Sequence, residues 1–193
     1  MKTKLSGTFL IAVLAVFLFT AALPAVAQTG NKPAELQWVL AQSTLTYHVS
    51  SPVHQVYGTS RAAKGKGYCS GGWCNFLIAA PVKSFTTGDT NRDLHMLEAT
   101  RGADFPMVVV QAHFRQSQLN SATIDVDLEV QFGGQKAHYA QVPFERTQKG
   151  SAVEIKGTVP ATCSDFKISR PSFLGMTIAN AIPVHVDMTW RSM

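Results

Sequence analysis

The chain has 193 residues and a formal net charge of +5 at pH 7, with 46% hydrophobic and 15% charged residues. This length fits one globular domain with a substantial hydrophobic core. The Lys and Arg residues are spread along the chain instead of forming a basic cluster, which argues against a nucleic-acid-binding protein. A mild positive charge is compatible with transient, weak contact with an anionic membrane surface.

The N-terminal segment has the pattern of a signal peptide. Two lysines precede an apolar run from about Phe9 to Ala22, and Ala25-Val26-Ala27 supplies small residues for cleavage. We expect cleavage near Ala27, which makes 1–27 a signal peptide and the mature protein periplasmic or secreted. A retained membrane anchor is the alternative. No cysteine follows the run to carry a lipoprotein anchor.

The folded domain is expected to span 36–193, because 28–35 contain Gly, Asn and Pro without periodicity and indicate a flexible lead-in. Strand signals begin at Trp38. Leu45, Tyr47 and Val49 then alternate with polar residues, which is the pattern of a strand with one buried face.

Two cysteines flank a short turn. Cys69 and Cys74 enclose Ser70-Gly71-Gly72-Trp73, which is typical of a four-residue hairpin loop and would place the two thiols opposite each other. In an oxidising compartment they are natural disulfide partners, with a stabilising contribution of about 2 kcal/mol or less because the closed loop is short. A redox-active pair is less favoured, since the spacing is not C-x-x-C. Cys163 is left over, either as a buried free thiol or paired.

One segment interrupts the strand pattern with the signals of a helix. Thr90 is the expected N-cap, and Asp93 follows three residues later, where a capping box places its acidic residue. Leu94 and Leu97 share one face, and Gly102 suits a C-terminal stop. A single polar helix in a β-rich chain usually closes or lines an opening.

The remaining strands alternate in the same way as the first. The apolar positions before the helix are Phe76, Ile78 and Ala80, and those after it include Val108, Val110, Ala112, Phe114, Ile124, Val126, Leu128, Val130 and Phe132. Gly133-Gly134 indicates a hairpin turn, and further strands follow to Trp190. We count about eight strands joined by tight turns, which predicts an all-β, antiparallel barrel with one short helix between strands. A sandwich of two sheets is the alternative.

Four stretches stand out in order along the chain. They are Trp38-Val39-Leu40 with Ser43 and Leu45-Thr46-Tyr47; His54-Gln55-Val56-Tyr57-Gly58; Asn91-Arg92-Asp93-Leu94-His95-Met96-Leu97 with Phe105-Pro106; and Phe166-Lys167-Ile168 with Arg170-Pro171-Ser172-Phe173-Leu174-Gly175. Together they resemble the motifs of the YceI-like family of exported, lipocalin-like barrels. The chain departs from that family at Ala41, at Met96 and in the cysteine hairpin.

The resemblance implies an elongated eight-stranded barrel whose apolar interior binds a polyisoprenoid or similar amphiphilic lipid, such as a quinone-like lipid, without a catalytic group or other cofactor. The expected walls are the inward apolar positions Tyr47, Val49, Phe76, Val110, Phe114, Val126, Leu128 and Phe132. Taken singly, an inward apolar residue of this kind is more often plain core than a ligand contact. A barrel filled by its own side chains, acting as an interaction or stress module, remains an alternative.

The polar residues of the helix raise a second question. Arg92 and His95 could hold a ligand headgroup, or His95 could be a hydrogen-bonded latch that docks the helix onto the sheet. An enzyme that uses Arg92, Asp93 and His95 is the rival function.

The other candidate groups give little support for chemistry. His113, His138 and His185 are out of phase with the apolar faces, and no metal-binding motif appears. The chain has no G-x-S-x-G sequence, and we expect neither catalytic residues nor metal ligands. A homodimer stays open at this stage.

Overall fold

The computed structural model describes residues 36–52, 54–170, 172–173 and 176–193, so the expected signal peptide and lead-in lie outside the described residues and stay predictions. Within them the chain forms eleven β-strands and one α-helix. The elements are β1 (Leu36–Ser50), β2 (Gln55–Ser60), β3 (Lys64–Ser70), β4 (Trp73–Pro81), α1 (Thr90–Ala99), β5 (Met107–Arg115), β6 (Thr123–Phe132), β7 (Gln135–Lys149), β8 (Ala152–Val159), β9 (Ser172–Phe173), β10 (Met176–Thr177) and β11 (Val184–Ser192). Short 3-10 helices lie at Val82–Ser84, Gln116–Asn120 and Ser164–Phe166.

Eight of the strands close into an antiparallel barrel. The sheet order runs from β11 through β8, β7, β6, β5, β4 and β3 to β1, and β1 pairs back to β11 from Trp38–Ser192 to Tyr47–Val184. Closure satisfies the backbone hydrogen bonds of the edge strands and buries the apolar face of every strand. The predicted all-β barrel is therefore confirmed, and the sandwich alternative is wrong.

The ninth strand of the sheet is β2, which shares one edge of β1 with β3. Residues Leu36–Val39 of β1 pair with β3, whereas residues Leu45–Ser50 pair with β2. The two short strands therefore lie end to end along β1. The barrel wall at this point is made of two strands in succession, which adds one strand to the predicted count.

The helix begins one residue earlier than its sequence signals suggest. Asp89, with extended backbone angles, is the N-cap, and its Oδ1 accepts the backbone N–H of Arg92 at 3.1 Å. The prediction of Thr90 as the cap is wrong, because a helical Thr90 cannot occupy the extended conformation that a cap requires. Asp93 then lies too far into the helix to complete a capping box, and its carboxylate turns back to other partners.

The end of the helix also differs from the expected stop. The residue in the left-handed region is Arg101, with φ of 53°, and not Gly102. Gly102 packs closely, since a Cβ there would lie 2.8 Å from Cδ2 of Leu97. No residue of the helix is fully buried, and Leu94 is 53% exposed. The helix therefore rests on the barrel instead of entering its core.

Two left-handed positions shape the β6–β7 hairpin. Gly133 and Gly134 have φ of 54° and 76°, which a two-residue turn between antiparallel strands requires, and the predicted turn is confirmed. Further along β7, Gln141 has φ of 52°, and its backbone N–H and Nε2 both donate to Oδ1 of Asp127 at 2.9 Å. This bulge shifts the phase of β7, so that Val142 faces the core.

Within the described part of the chain, no helix is long and apolar enough to cross a membrane. The predicted disulfide is confirmed: Cys69 and Cys74 lie opposite each other beside the β3–β4 turn, and both are almost fully buried. The predicted four-residue loop is wrong, because Ser70 pairs with Trp73 and the left-handed residues Gly71 and Gly72 alone form the turn. Cys163 is a buried free thiol.

Candidate functional site

The interior of the barrel contains a cavity of about 440 Å³. This volume lies within the range of pockets that hold small ligands. The walls are almost entirely apolar, because the strand residues that line the cavity carry aliphatic or aromatic side chains. A cavity inside the barrel contradicts the alternative of a barrel filled by its own side chains.

One end of the barrel, which we call the packed end, is densely filled. It is formed by the starts of β1, β4, β6 and β8 and the ends of the strands between them. The centroid of the Phe76 ring lies 4.8 Å from that of Trp190, in an edge-on arrangement, and 5.7 Å from that of Phe114. The large apolar side chains buried here include Trp38, Phe114, Ile124, Phe144, Val153 and Trp190, each less than a tenth exposed.

Glycines opposite aromatic residues keep the cavity open. Gly67 and Gly157 pair across the strands with Phe76 and Phe144, and an added Cβ at either glycine would overlap the ring beside it. The rings can therefore lie along the wall instead of projecting into the centre. Periodicity alone could not reveal this arrangement, because it depends on which residues the register places opposite each other.

The other end of the barrel, which we call the mouth, has α1 on one side. The helix is held at its start by Asp93, whose two carboxylate oxygens accept hydrogen bonds from Thr86 Oγ1 at 2.7 Å and from Thr87 N and Oγ1 at 2.8 Å. Thr86 in turn pairs with Thr59 of β2. Burial pushes the pKa of the Asp93 carboxyl upward, but the hydrogen bonds from Thr86 and Thr87 outweigh it and hold that pKa below its usual value.

The far end of α1 is anchored to the β6–β7 turn. The Arg101 guanidinium donates to the carbonyl oxygen of Gly133 and lies 5.0 Å over the ring of Phe105. That ring lies so close to Gly134 that an added Cβ would meet it at 2.6 Å. The helix is therefore fixed at both ends, while its middle borders the cavity through Met96 and Ala99.

The connection between β8 and β11 forms the opposite side of the mouth. Its described part is tied down by Asp165, which accepts hydrogen bonds from Tyr139 Oη at 2.7 Å and from the backbone of Thr162 at 2.9 Å. Burial and the Asp165 carboxylate raise the pKa of Tyr139 far above its usual value. Phe166 and Ile168 from this connection complete the apolar lining, and Phe166 packs edge-on against Phe132 at 5.4 Å.

The polar side chains that line the cavity lie at the mouth. Tyr47 is half-buried there, and burial, followed by the negative charge of Asp93, raises the pKa of its hydroxyl. Arg92 also lines the cavity, is half-exposed and pairs with Asp89 at 3.3 Å. The site thus has a long apolar interior with hydroxyl and guanidinium groups at its entrance.

His95 is not the latch that holds the helix. Its Nδ1 lies 3.2 Å from Oε2 of Glu98 on the same helix, and its side chain is 80% exposed. Asp93 has the latch role instead, because it is the helical residue whose side chain bonds to the segment before the helix. His95 still borders the mouth, so its contact with a headgroup stays a prediction.

The structure brings all ten ligand-site residues predicted from the sequence to this one cavity. Eight lie on barrel strands and two on α1, and contact of each with a ligand stays a prediction: Tyr47, Val49, Phe76, Val110, Phe114, Val126, Leu128, Phe132, Arg92 and His95. Sequence reasoning missed Phe85 and Met96, which also line the cavity but lie in a loop and a helix outside the strand pattern.

Three of the remaining candidate groups, the strand histidines, lie away from the cavity. His113, His138 and His185 all occupy outward positions of their strands, as their phase predicted. Among the described residues no group of three His, Cys, Asp or Glu side chains could hold a metal ion. Cys163 does line the cavity, and burial raises the pKa of its thiol, which disfavours the reactive thiolate.

The chain is similar in structure to proteins of low sequence identity. BcnA of Burkholderia cenocepacia matches with 12% identity over 76% of this chain and 95% of that chain, with a TM-score of 0.65. A polyisoprenoid binding domain from Saccharophagus degradans, implicated in plant cell wall breakdown, matches with 15% identity over 82% and 99% of the two chains, with a TM-score of 0.63. A YceI protein of Campylobacter jejuni matches more weakly, with 12% identity over 60% and 70% and a TM-score of 0.48.

At this level of identity the first two similarities show that the chain shares the fold of those proteins, and membership of the YceI-like family stays a resemblance. No protein-family model and no curated protein matches the chain significantly.

Proposed function

We propose that this protein binds a polyisoprenoid or a similar long amphiphile, with the apolar chain inside the barrel and the polar head at the mouth. The single observation that carries the proposal is the cavity itself, whose walls are apolar along the barrel and polar only at the mouth. The Saccharophagus degradans domain of the same fold, described as polyisoprenoid binding, supports this ligand class.

The energetics of such a site favour a long chain. Each CH₂ group transferred from water into an apolar interior contributes about 0.8 kcal/mol, so affinity grows with the length of chain that the cavity accepts. An isoprenoid needs no directional partner along its tail, and the walls offer none. Tyr47 and Arg92 at the entrance supply a hydroxyl and a cation for the oxygen atoms of a headgroup.

The role that fits this site is that of a non-catalytic carrier or sequestering protein. The polar residues named for an enzyme do not converge on one point, since Arg92 pairs with Asp89, Asp93 is occupied by Thr86 and Thr87, and His95 points to Glu98. An exported location agrees with the Cys69–Cys74 disulfide, because such bonds persist in oxidising compartments.

The proposal is tested by filling the cavity from one wall. Ala112 is a half-buried inward residue of β5 that lines the cavity, and Ala79 is an outward residue of neighbouring β4. Ala112→Phe should weaken binding of geranylgeraniol, measured by isothermal titration calorimetry, about tenfold or more, because a chain shortened by two CH₂ groups already loses that much. Ala79→Phe makes the same chemical change outside the cavity and should leave the affinity unchanged.

Val110→Phe, one inward position closer to the mouth, is a second variant in case Ala112→Phe is poorly folded. Failure of the native protein to bind prenyl alcohols and prenyl quinones would contradict the proposal. Equal affinity of the native protein, Ala112→Phe and Val110→Phe would place any binding outside the barrel.

A further inference from the structure

One flank of the barrel carries four exposed basic side chains and no carboxylate. Lys64 and Lys66 project outward from β3, and Arg115 ends β5. Arg191 of β11 pairs with Val39 of β1, beside β3. The sequences of β3, β4 and β5 contain no Asp or Glu. We call the outward face of β3, β4 and β5, together with Arg191, the basic flank.

The charges of the basic flank are uncompensated. None of its four cations forms an ion pair with any carboxylate of the described residues. On the opposite flank, by contrast, each lysine is paired: Lys136 with Glu129 at 2.7 Å, Lys149 with Glu154 at 2.8 Å and Lys156 with Asp187 at 3.3 Å. The lysines of β7 and β8 are therefore neutralised by carboxylates, whereas the four cations of the basic flank are not.

The strand that borders the basic flank carries three outward carboxylates, Asp125, Asp127 and Glu129 of β6. Asp127 accepts two hydrogen bonds from Gln141, and Glu129 is bound by Lys136, both from the β7 side. Asp127 also faces His113 of β5, and the exposed Asp125 forms no ion pair with any described cation. None of the three carboxylates forms an ion pair with a cation of the basic flank.

The same flank exposes apolar and aromatic surface. Tyr68 is 45% exposed and Leu77 is 53% exposed, and Leu77 lies directly opposite Lys66. The guanidinium of Arg115 lies 3.6 Å over the ring of Trp73. Tyr and Trp side chains combine an apolar body with a polar tip, and the stems of Lys and Arg cover apolar surface while their charges reach outward. This combination suits the boundary between lipid headgroups and acyl chains.

We propose that the basic flank docks on a membrane surface that contains anionic lipid headgroups. Charge complementarity selects this partner, since each Lys or Arg near such a surface strengthens binding about fivefold. A second copy of the chain is disfavoured, because a two-fold interface would bring the four cations of each copy together. The flank extends from the packed end at Arg115 to the mouth beside Met107, so a docked barrel would hold its mouth close to the lipid surface. This inference goes beyond the proposed function and does not depend on what the cavity binds.

The test is co-sedimentation of the mature protein with vesicles. Vesicles of phosphatidylcholine with phosphatidylglycerol should retain the protein, and vesicles of phosphatidylcholine alone should not. The triple variant K64Q/K66Q/R115Q should bind about 100-fold more weakly, at about fivefold per charge. The control triple variant K136Q/K149Q/K156Q has the same net charge and changes side chains that are 56%, 57% and 49% exposed on the opposite flank. It should bind like the native protein.

Two further measurements separate the electrostatic contribution to vesicle binding from the apolar one. Raising the salt concentration from about 0.1 M to about 1 M should release the protein, because the screening length falls from about 10 Å to about 3 Å. Leu77→Ser should weaken binding while leaving the salt dependence intact.

Native protein that ignores the anionic vesicles, or equal weakening of the two triple variants, would overturn the proposal. Retention on immobilised poly-glutamate without vesicle binding would assign the flank to an acidic protein and would overturn it as well. Circular dichroism melts of both triple variants establish that each is folded.

Discussion

The packed end and the mouth of this barrel are built from the same strands but perform different tasks. At the packed end, Trp38, Phe114 and Trp190 fill the interior, and a disulfide joins the nearby β3–β4 turn. At the mouth, inward strand residues such as Tyr47, Val108 and Val184 are only half-buried, although Ala80 and Val130 are buried, and the covering helix has no fully buried side chain. The difference suggests that stability is concentrated at one end, which leaves the other end free to admit a ligand.

The largest expected effect on stability is at Phe114, and Phe132 is the residue with which we compare it. Phe114 is 6% exposed at the packed end, whereas Phe132 is half-buried at the mouth. Phe114→Ala should lower the free energy of unfolding by about 3–5 kcal/mol, because a packed ring leaves a void. Phe132→Ala should cost only about 1–2 kcal/mol, since its ring is less completely removed from water. Urea denaturation measures both, and equal losses would contradict a division of labour between the two ends.

The disulfide should have an intermediate effect. The double variant C69A/C74A should lower the free energy of unfolding by about 2 kcal/mol, since the bond closes a loop of only a few residues. Prenyl alcohol binding at the far end should persist. If the double variant lost prenyl alcohol binding at an unchanged melting temperature, the packed end would control the mouth. That result would contradict the division of roles between the two ends.

A smaller effect on stability is expected from Asp93, the latch residue of α1. Asp93→Asn keeps the shape of the side chain but replaces a charged acceptor of hydrogen bonds from Thr86 and Thr87, and should cost about 1 kcal/mol. Hydrogen exchange of the α1 amides should accelerate selectively, while the barrel strands keep their protection. Asp104→Asn, at an exposed carboxylate beyond the helix, is the matched control. Uniform acceleration across the barrel would argue against a local latch.

The same latch predicts a pH dependence. The pKa of Asp93 is lowered in the folded protein, so its stabilising contribution is complete above the ordinary value near 3.8 and is lost as the pH falls through the folded pKa. Acid should therefore loosen α1 in the native protein and produce little further change in Asp93→Asn. Hydrogen exchange at decreasing pH measures this difference.

The smallest effect is expected at His95. Because its side chain is 80% exposed and bonds only within the helix, His95→Ala should not change the unfolding midpoint measurably. A loss of prenyl alcohol affinity at unchanged stability would identify His95 as a headgroup ligand, and unchanged affinity would contradict that prediction.

The barrel could be predicted from the sequence because alternation is a local signal that eight strands repeat. The inward positions of β5 and β6, such as Val110 and Leu128, follow directly from a period of two. The prediction was wrong where a single residue shifts the alternation of a strand or caps the helix. The bulge at Gln141 depends on its bonds to Asp127 of another strand, and the N-cap at Asp89 depends on one pair of backbone angles.

The site was predictable only in part, for a related reason. Residues on strands could be assigned to the interior one by one, whereas Phe85 and Met96 reach it from a loop and a helix, whose placement depends on tertiary packing. The sequence favours His95 as the latch, because this residue belongs to the polar cluster of the helix. Asp93 has this role because the chain before the helix folds back onto it.

The most direct test of the central claim is native mass spectrometry, with solvent extraction, on the mature protein purified gently from an exporting host. We predict a stoichiometric lipid of long-chain mass in the native protein and its loss in Ala112→Phe. A native protein that is empty, and that also stays empty when prenyl lipids and quinones are added, would contradict the assignment of the barrel as a binding site for long amphiphiles.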